Sequence, residues 1–390
     1  MIVLSACNPN RFVSGWVPYW NASQGRLAYT GGADTMFTDI SPFFFSAQAD
    51  GTIAVVGSES QLKLTVDTAK ARGIKVLPTI TDGSGKWVMA GVILQNTTSR
   101  TQHVQNIVNL VVSRGFDGID LDYEGFAFSD GRDSWPSTRP VWVAFVNELA
   151  SALHANGKLL SVTIPPVWIA GGAETGYTVY DPAAVGAVAD RVRLMVYDWS
   201  YAGGPPGPIS PMSWVQQVIA YNDPIIPNGK LQLGVPAYGR DWGRQVYPTE
   251  SCPDGALNTK SIELENMPAV IDAHGATPVR HSSGEMTFSY DTVATGYRSA
   301  PISPPVYVPP ARRVTTVQGA SDSTGALKPA LRLTPQTVTC TVRHFVYYPD
   351  QYSIQDHAQA ALSAGWSGVV IWALGYETAD VYMALANTTP

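Results

Sequence analysis

Short apolar runs of strand length alternate with helix-patterned stretches along most of this chain, and no other feature of the sequence restricts its fold so tightly. The runs fall at residues 12–17, 37–45, 74–80, 116–124, 159–164, 192–197, 231–235 and 367–373. Helical patterns lie between several of them, at 59–72, 98–114, 140–155, 211–221 and 354–364. In 98–114 the residues Val104, Ile107, Val108, Val111 and Val112 recur at helical spacing, and Gly73, Gly115 and Gly157 stand where three of the patterns stop. Eight such units in a row predict an α/β fold, a parallel sheet closed into a (β/α)8 TIM barrel whose chemistry belongs at the C-terminal ends of the strands.

One interval departs from this rhythm. From 240 to 341 no helix of useful length is legible, only proline clusters at 301–305 and 309–310 and short β-like runs such as 286–290. This predicts an α+β lobe inserted between strands seven and eight, leaving the barrel to residues 12–239 and 342–390. Cys252 and Cys340 lie near the two ends of the lobe, which predicts a disulfide stapling it where it leaves the barrel. The third cysteine, Cys7, follows Leu4-Ser5-Ala6 and so resembles a bacterial lipobox, in which the cysteine is lipidated. Residues 1–11 are therefore read as a truncated signal peptide or lipobox with a linker, and the plainer alternative is a loose start carrying a spare thiol. The expected location is outside the cell or on its surface, with Cys7 as the anchor.

Charged residues make up only 14% of the 390, the formal net charge is −6, and lysine and arginine form no cluster, which argues against nucleic acid or an anionic membrane as the ligand. No run of about 18 apolar residues exists to span a bilayer. A neutral polymer suits the composition better, since 11 Trp and 18 Tyr offer flat rings with polar edges. A monomer is expected.

Asp120, Asp122 and Glu124 are spaced by two, so a strand turns all three side chains to one face. Crowded like charges repel, and at least one carboxyl should hold its proton near neutral pH, as a general acid must. Glu124, at the strand's end just before Gly125, is the candidate. Carboxylate clusters also bind magnesium or calcium, but no histidine or further acidic set accompanies this one, so no metal and no cofactor is expected. Phe116, Ile119 and Leu121 embed the run in apolar residues and argue against an exposed acidic loop, while Asp117 faces the other way and is read as structural.

The run Asp117-Gly-Ile-Asp120-Leu-Asp122-Tyr-Glu124 resembles the DxxDxDxE signature of glycoside hydrolase family 18, the family of chitinases and related N-acetylglucosaminidases. Leu194-Met-Val-Tyr197-Asp198, Gly234-Val-Pro-Ala-Tyr238-Gly-Arg240 and Gly368-Val-Val-Ile-Trp372 resemble the family's segments at strands six, seven and eight, so the likeness runs from about Phe12 to Tyr382. It implies a retaining reaction without a protein nucleophile. Glu124 would protonate the glycosidic oxygen, Asp122 would orient the acetamido N–H of the sugar that attacks its own anomeric carbon, Asp120 would help keep the pair correctly protonated, and Tyr197 would bond the acetamido oxygen. Trp372 would be the floor under that sugar, and Asp198, Tyr238, Arg240, Trp16 and Phe45 are further candidates for substrate contact. The Gly-Pro-Pro run at 204–206 and the segment 236–242 look more like the bacterial cell-wall branch, although the LysM module common there has no counterpart in this sequence. The implied partner is thus a polysaccharide containing N-acetylglucosamine, either chitin-like or peptidoglycan. A lectin of the same fold that binds without cutting is the competing reading, as is a surface adhesin tethered through Cys7. Such lectins typically lose the acid that Glu124 supplies.

Overall fold

The computed structural model describes residues 12–299 and 336–388. Eight parallel strands close on themselves: β1 Val13–Pro18, β2 Phe37–Ala47, β3 Thr79–Asp82, β4 Gly118–Asp122, β5 Leu159–Ile164, β6 Arg191–Leu194, β7 Leu231–Pro236 and β8 Gly368–Trp372. Each pairs with its neighbours in chain order, and β8 returns to pair with β1. This is the (β/α)8 barrel that the alternating pattern predicts.

Some of the helices outside it start where a side chain satisfies a backbone N–H. Ser58 and Asn96 cap Glu59–Lys70 and Thr97–Ser113 by accepting the N–H of Gln61 and Ser99. Gly115 ends the latter at φ 62°, a left-handed conformation that favours glycine. Val104, Ile107, Val108 and Val111 are buried against the barrel, whereas Val112 is 46% exposed, so the apolar face is narrower than its spacing suggests.

Two boundaries differ from the sequence expectation, both at prolines. The run at 74–80 splits because Pro78 has no N–H for the ladder: Lys75–Val76 pairs with β2, and β3 begins at Thr79. The helix expected from residue 140 begins instead at Trp135 and runs to His154. Pro140 is tolerated there because it lies close to the helix start and forgoes a single bond, to the carbonyl of Pro136.

The barrel interior contains a polar layer. Fully buried Arg193 donates to Gln232 Oε1 (3.0 Å) and Ser41 Oγ (2.6 Å), lies 3.2 Å from Asp120 Oδ1 and pairs with Asp39. Asp39 also accepts from Ser14 Oγ and pairs with Arg191. Buried charge is tolerable only when compensated in this way. The aliphatic core lies between the barrel and its helices.

The inserted lobe is a five-stranded antiparallel sheet, in the order Thr259–Glu263, Tyr238–Gln245, Gln336–Tyr348, Met286–Arg298 and Val279–Arg280. Its borders lie at Tyr238 and Tyr348 rather than 240 and 341, because strands run on across both expected limits. It also contains the helix Met267–His274, whose eight residues are too few to show a clear period in sequence. Cys252 and Cys340 are bridged across a separation of 88 residues, with Cα atoms 4.9 Å apart. Cys340 sits on a central lobe strand, so the bridge braces the lobe internally instead of stapling it to the barrel. Cys7 lies outside the described residues. Among those described, no helix is long and apolar enough to cross a membrane.

Candidate active site

Strand alternation sends Asp120 and Asp122 into the barrel and Tyr123 outward. Tyr123 is buried against Phe145, its hydroxyl 2.7 Å from His103 Nε2, and its carbonyl accepts the Tyr180 hydroxyl at 2.8 Å. These contacts fix the backbone immediately before Glu124. β4 ends at Asp122, and Glu124 has already turned to φ −105°, ψ −22°, which lifts its side chain from the strand face to the barrel mouth. Asp117 accepts the N–H of Val76 at 2.8 Å and ties strand to strand.

The three acids occupy unlike surroundings. Asp120, wholly buried, accepts hydrogen bonds from Trp16 Nε1 (2.8 Å), Thr79 Oγ1 (2.9 Å), Ser161 Oγ (2.7 Å) and Thr163 Oγ1 (2.9 Å), besides facing Arg193. It is saturated and has no lone pair free for a ligand. Asp122 is 5% exposed, and its Oδ1 has no hydrogen-bond partner among the described residues. Burial, then the charges of Glu124 and Asp120, hold its carboxyl well above the usual range, with Arg193 pulling the other way. Glu124 is pushed up to about 7, first by burial and then by the charge of Asp198. A half-buried carboxyl that keeps its proton to neutral pH can donate it to a bound group.

Both acids line a cleft of about 690 Å³ at the C-terminal end of the barrel, with Trp16, Trp372, Tyr197, Asp198, Tyr238 and Arg240 among its walls. Burial, above all, pushes the Tyr197 phenol well above its ordinary value, so it remains a hydrogen-bond donor. Asp198 Oδ1 accepts from Tyr238 Oη at 2.6 Å and from Arg240 Nη2 at 2.6 Å. Trp372 presents a partly exposed ring, held edge-on by Phe43 (centroids 5.1 Å), Trp16 (5.8 Å) and Trp20 (6.2 Å). Trp16 is 1% exposed and committed to Asp120, so it supports the floor more than it offers a surface.

Phe45 does not belong to the cleft. It is buried between Phe116 and the Arg114 guanidinium, and Phe43 lines the cleft instead. An irregularity in the pairing of β2 with β3 between Phe43 and Phe45 breaks the alternation that would put both on one face. Sequence reasoning also missed Trp20, Tyr376, Glu263 and Asn266. Trp20 follows the C-terminal end of β1, where barrel function is expected, and was findable. Glu263 and Asn266 come from the lobe, and only tertiary folding brings them to the mouth.

The sequence profile of glycosyl hydrolases family 18 matches residues 15–377. The chain belongs to that family. A chitinase from Chromobacterium violaceum ATCC 12472 superimposes with TM-score 0.71 over 96% of this chain and 98% of its own, at 21% identity. The spore cortex-lytic enzyme of Bacillus megaterium QM B1551 does so with TM-score 0.69, over 100% of this chain and 76% of its own, at 19% identity. At such identities the likeness carries the barrel fold alone. The cortical fragment-lytic enzyme of Bacillus subtilis (strain 168) is 27% identical over 243 residues, 60% of this chain and 54% of that protein. The chain spans about half the length of the curated relatives it matches.

Proposed function

We propose that this chain is a retaining glycosidase that cuts β-1,4 bonds beside N-acetylglucosamine, with Glu124 as acid and then base. The observation that carries the reading is a carboxyl held protonated to about pH 7 at the edge of a cleft, next to a second acid with an oxygen that has no hydrogen-bond partner among the described residues. Glu124 gives its proton to the glycosidic oxygen as the C1–O bond breaks. The acetamido carbonyl oxygen of the same sugar bonds to C1, forming an oxazolinium ion. Asp122 Oδ1 accepts the acetamido N–H and steadies the positive charge, and the Tyr197 hydroxyl donates to the acetamido oxygen. Water then adds at C1 as the bond from C1 to the acetamido oxygen breaks and the acetamide is restored, the water yielding its proton to Glu124. Trp372 stacks beneath the sugar, and Trp20 extends that surface.

Chitin-like glycans are the first reading of the substrate. Peptidoglycan is the second, supported by the names of the Bacillus relatives, a cortical fragment-lytic and a spore cortex-lytic enzyme. The Cys252–Cys340 bridge supports work outside the reducing cytoplasm, where both polymers lie. A lectin reading gains nothing from the site, since the proton donor is present. Mass spectrometry of the products from chitin oligomers and purified peptidoglycan, digested side by side, tests this. New reducing ends at N-acetylglucosamine are expected from at least one polymer, and intact polymers in both digests would contradict the reading.

A further inference from the structure

The residues that follow Tyr197 and Asp198 form a long excursion before the next helix, Met212–Asn222. It closes on itself through the Trp199 N–H to the Ile209 carbonyl (2.9 Å) and the Ser200 N–H to the Pro208 carbonyl (3.2 Å). Its start is strained: Asp198 sits at φ 59°, a left-handed conformation that costs of order 1 kcal/mol in a non-glycine residue and persists only when the surroundings impose it. The far end of the excursion is tied to the lobe. Glu285, with no exposed surface, accepts the backbone N–H groups of Ile209 (2.8 Å) and Ser210 (2.5 Å). The Ser210 hydroxyl in turn donates to the carbonyl of Val196 at 2.5 Å, one residue before Tyr197. The turn carrying Glu285 is itself anchored, by Arg280 on Asp350 (2.6 Å), by the Ser353 hydroxyl on the Gly284 carbonyl (2.8 Å) and by the Met212 N–H on the Ser283 carbonyl (3.0 Å).

We infer that Glu285 is a positioning residue of the active site: the lobe uses it to hold the 196–210 excursion so that Tyr197 and Asp198 face the cleft. The inference rests on the reading of the cleft given above. A carboxyl gripped by two backbone N–H groups at a chain crossing serves as a rigid strut, since charge-assisted bonds of this length tolerate little displacement. Burial pushes the Glu285 carboxyl up to about 7, the two N–H donors pull it back, and Asp350 opposes them. The other ionisable groups at this junction include His357, buried and near Ser210, Arg280, paired to Asp350 and close to Asp356 and Tyr348, and His281, whose ring bonds Ser283 and whose backbone N–H donates to the Glu285 carbonyl. The lobe thus supplies more than a wall. It sets the geometry of residues just past the end of β6, some 90 positions earlier, and the distance of Asp198 from Glu124 depends on it.

The test compares wild type, E124Q, E285A and S210A on a chromogenic N-acetylglucosamine oligosaccharide, with hydrogen exchange read on the same proteins. In E285A, kcat should fall about ten- to hundredfold, as for catalytic groups misplaced by up to an ångström. The alkaline limb of its pH profile should move to lower pH as Asp198 withdraws from Glu124, and amides 199–210 should exchange faster. A purely structural role would lower thermal stability and leave the folded protein's kcat and pH limb unmoved, and that result would overturn the inference. S210A, which cuts only the link to Val196, should show the same changes in smaller measure. It decides the matter alone if E285A does not fold, wild-type kinetics in S210A counting against the strut. Wild type no more active than E124Q would instead overturn the catalytic reading, whatever the 285 variant does.

Discussion

Glu124 and Asp120 stand two apart from Asp122 on one short stretch, yet the fold assigns them opposite characters. Asp120 is enclosed by four hydrogen-bond donors and an arginine, whereas Glu124 has burial and a negative neighbour to contend with. The sign of the pH dependence follows. A carboxyl raised to about 7 is protonated below that pH and loses its proton above it, so the rate should fall as pH rises through about 7. Asp198→Asn removes the negative charge that helps hold the proton, lowers the acid's pKa and should move the alkaline limb of kcat to lower pH. A pH–rate profile of the two proteins checks this, and an unmoved limb would take Asp198 out of the electrostatics. At this scale the sequence told that Asp120 and Asp122 share a face, because alternation is a local property, but not that the backbone turns at Glu124 and takes the third acid off that face. It did not tell that Phe45 would leave that face, since a pairing irregularity is set by the partner strand. Nor did it reveal Arg193, whose partners are drawn from β1, β2, β4 and β7 through one another.

The lobe bears on the cleft through two separate parts, the wall it presents to a ligand and the turn that carries Glu285. It contributes Ser261, Glu263 and Asn266 to the cleft, while the proposed proton donor Glu124 and its neighbour Asp122 belong to the barrel. Closing a loop of 88 residues is worth about 4–5 kcal/mol by chain entropy, so replacing Cys252 and Cys340 with alanine should lower the melting temperature measurably. The loosened wall should raise KM several-fold and leave kcat within about twofold, as for lost uniform binding. Steady-state kinetics with a melting curve on the same variant tests it, and a loss confined to kcat would show that the bridge supports the chemistry instead. The lobe's existence was legible from the lapse in βα rhythm and its cysteines from their flanking positions. Its borders were not, because strands such as Tyr238–Gln245 pair with segments 100 residues away.

Over the whole molecule, the barrel was readable because its units repeat an apolar run, several of them followed by a helical pattern and three of those patterns stopped by a glycine. The cleft was readable where its residues sit on or just past strand ends, as do Asp122, Tyr197, Tyr238 and Trp372, and not where a later stretch of the insertion or an aromatic beyond β1 completes it. That division matches the physics of the site. Barrel strands fix the reacting groups to within small tolerances, and peripheral segments supply reach and adjust position. The central claim is that one proton on Glu124 drives bond cleavage while the fold does not need its charge. Turnover and oligosaccharide affinity of Glu124→Gln, measured on one preparation by product release and calorimetry, test it most directly. Hydrolysis should drop by at least about 10²-fold with affinity held near wild type, and a variant that still turns over at the wild-type rate would contradict the account.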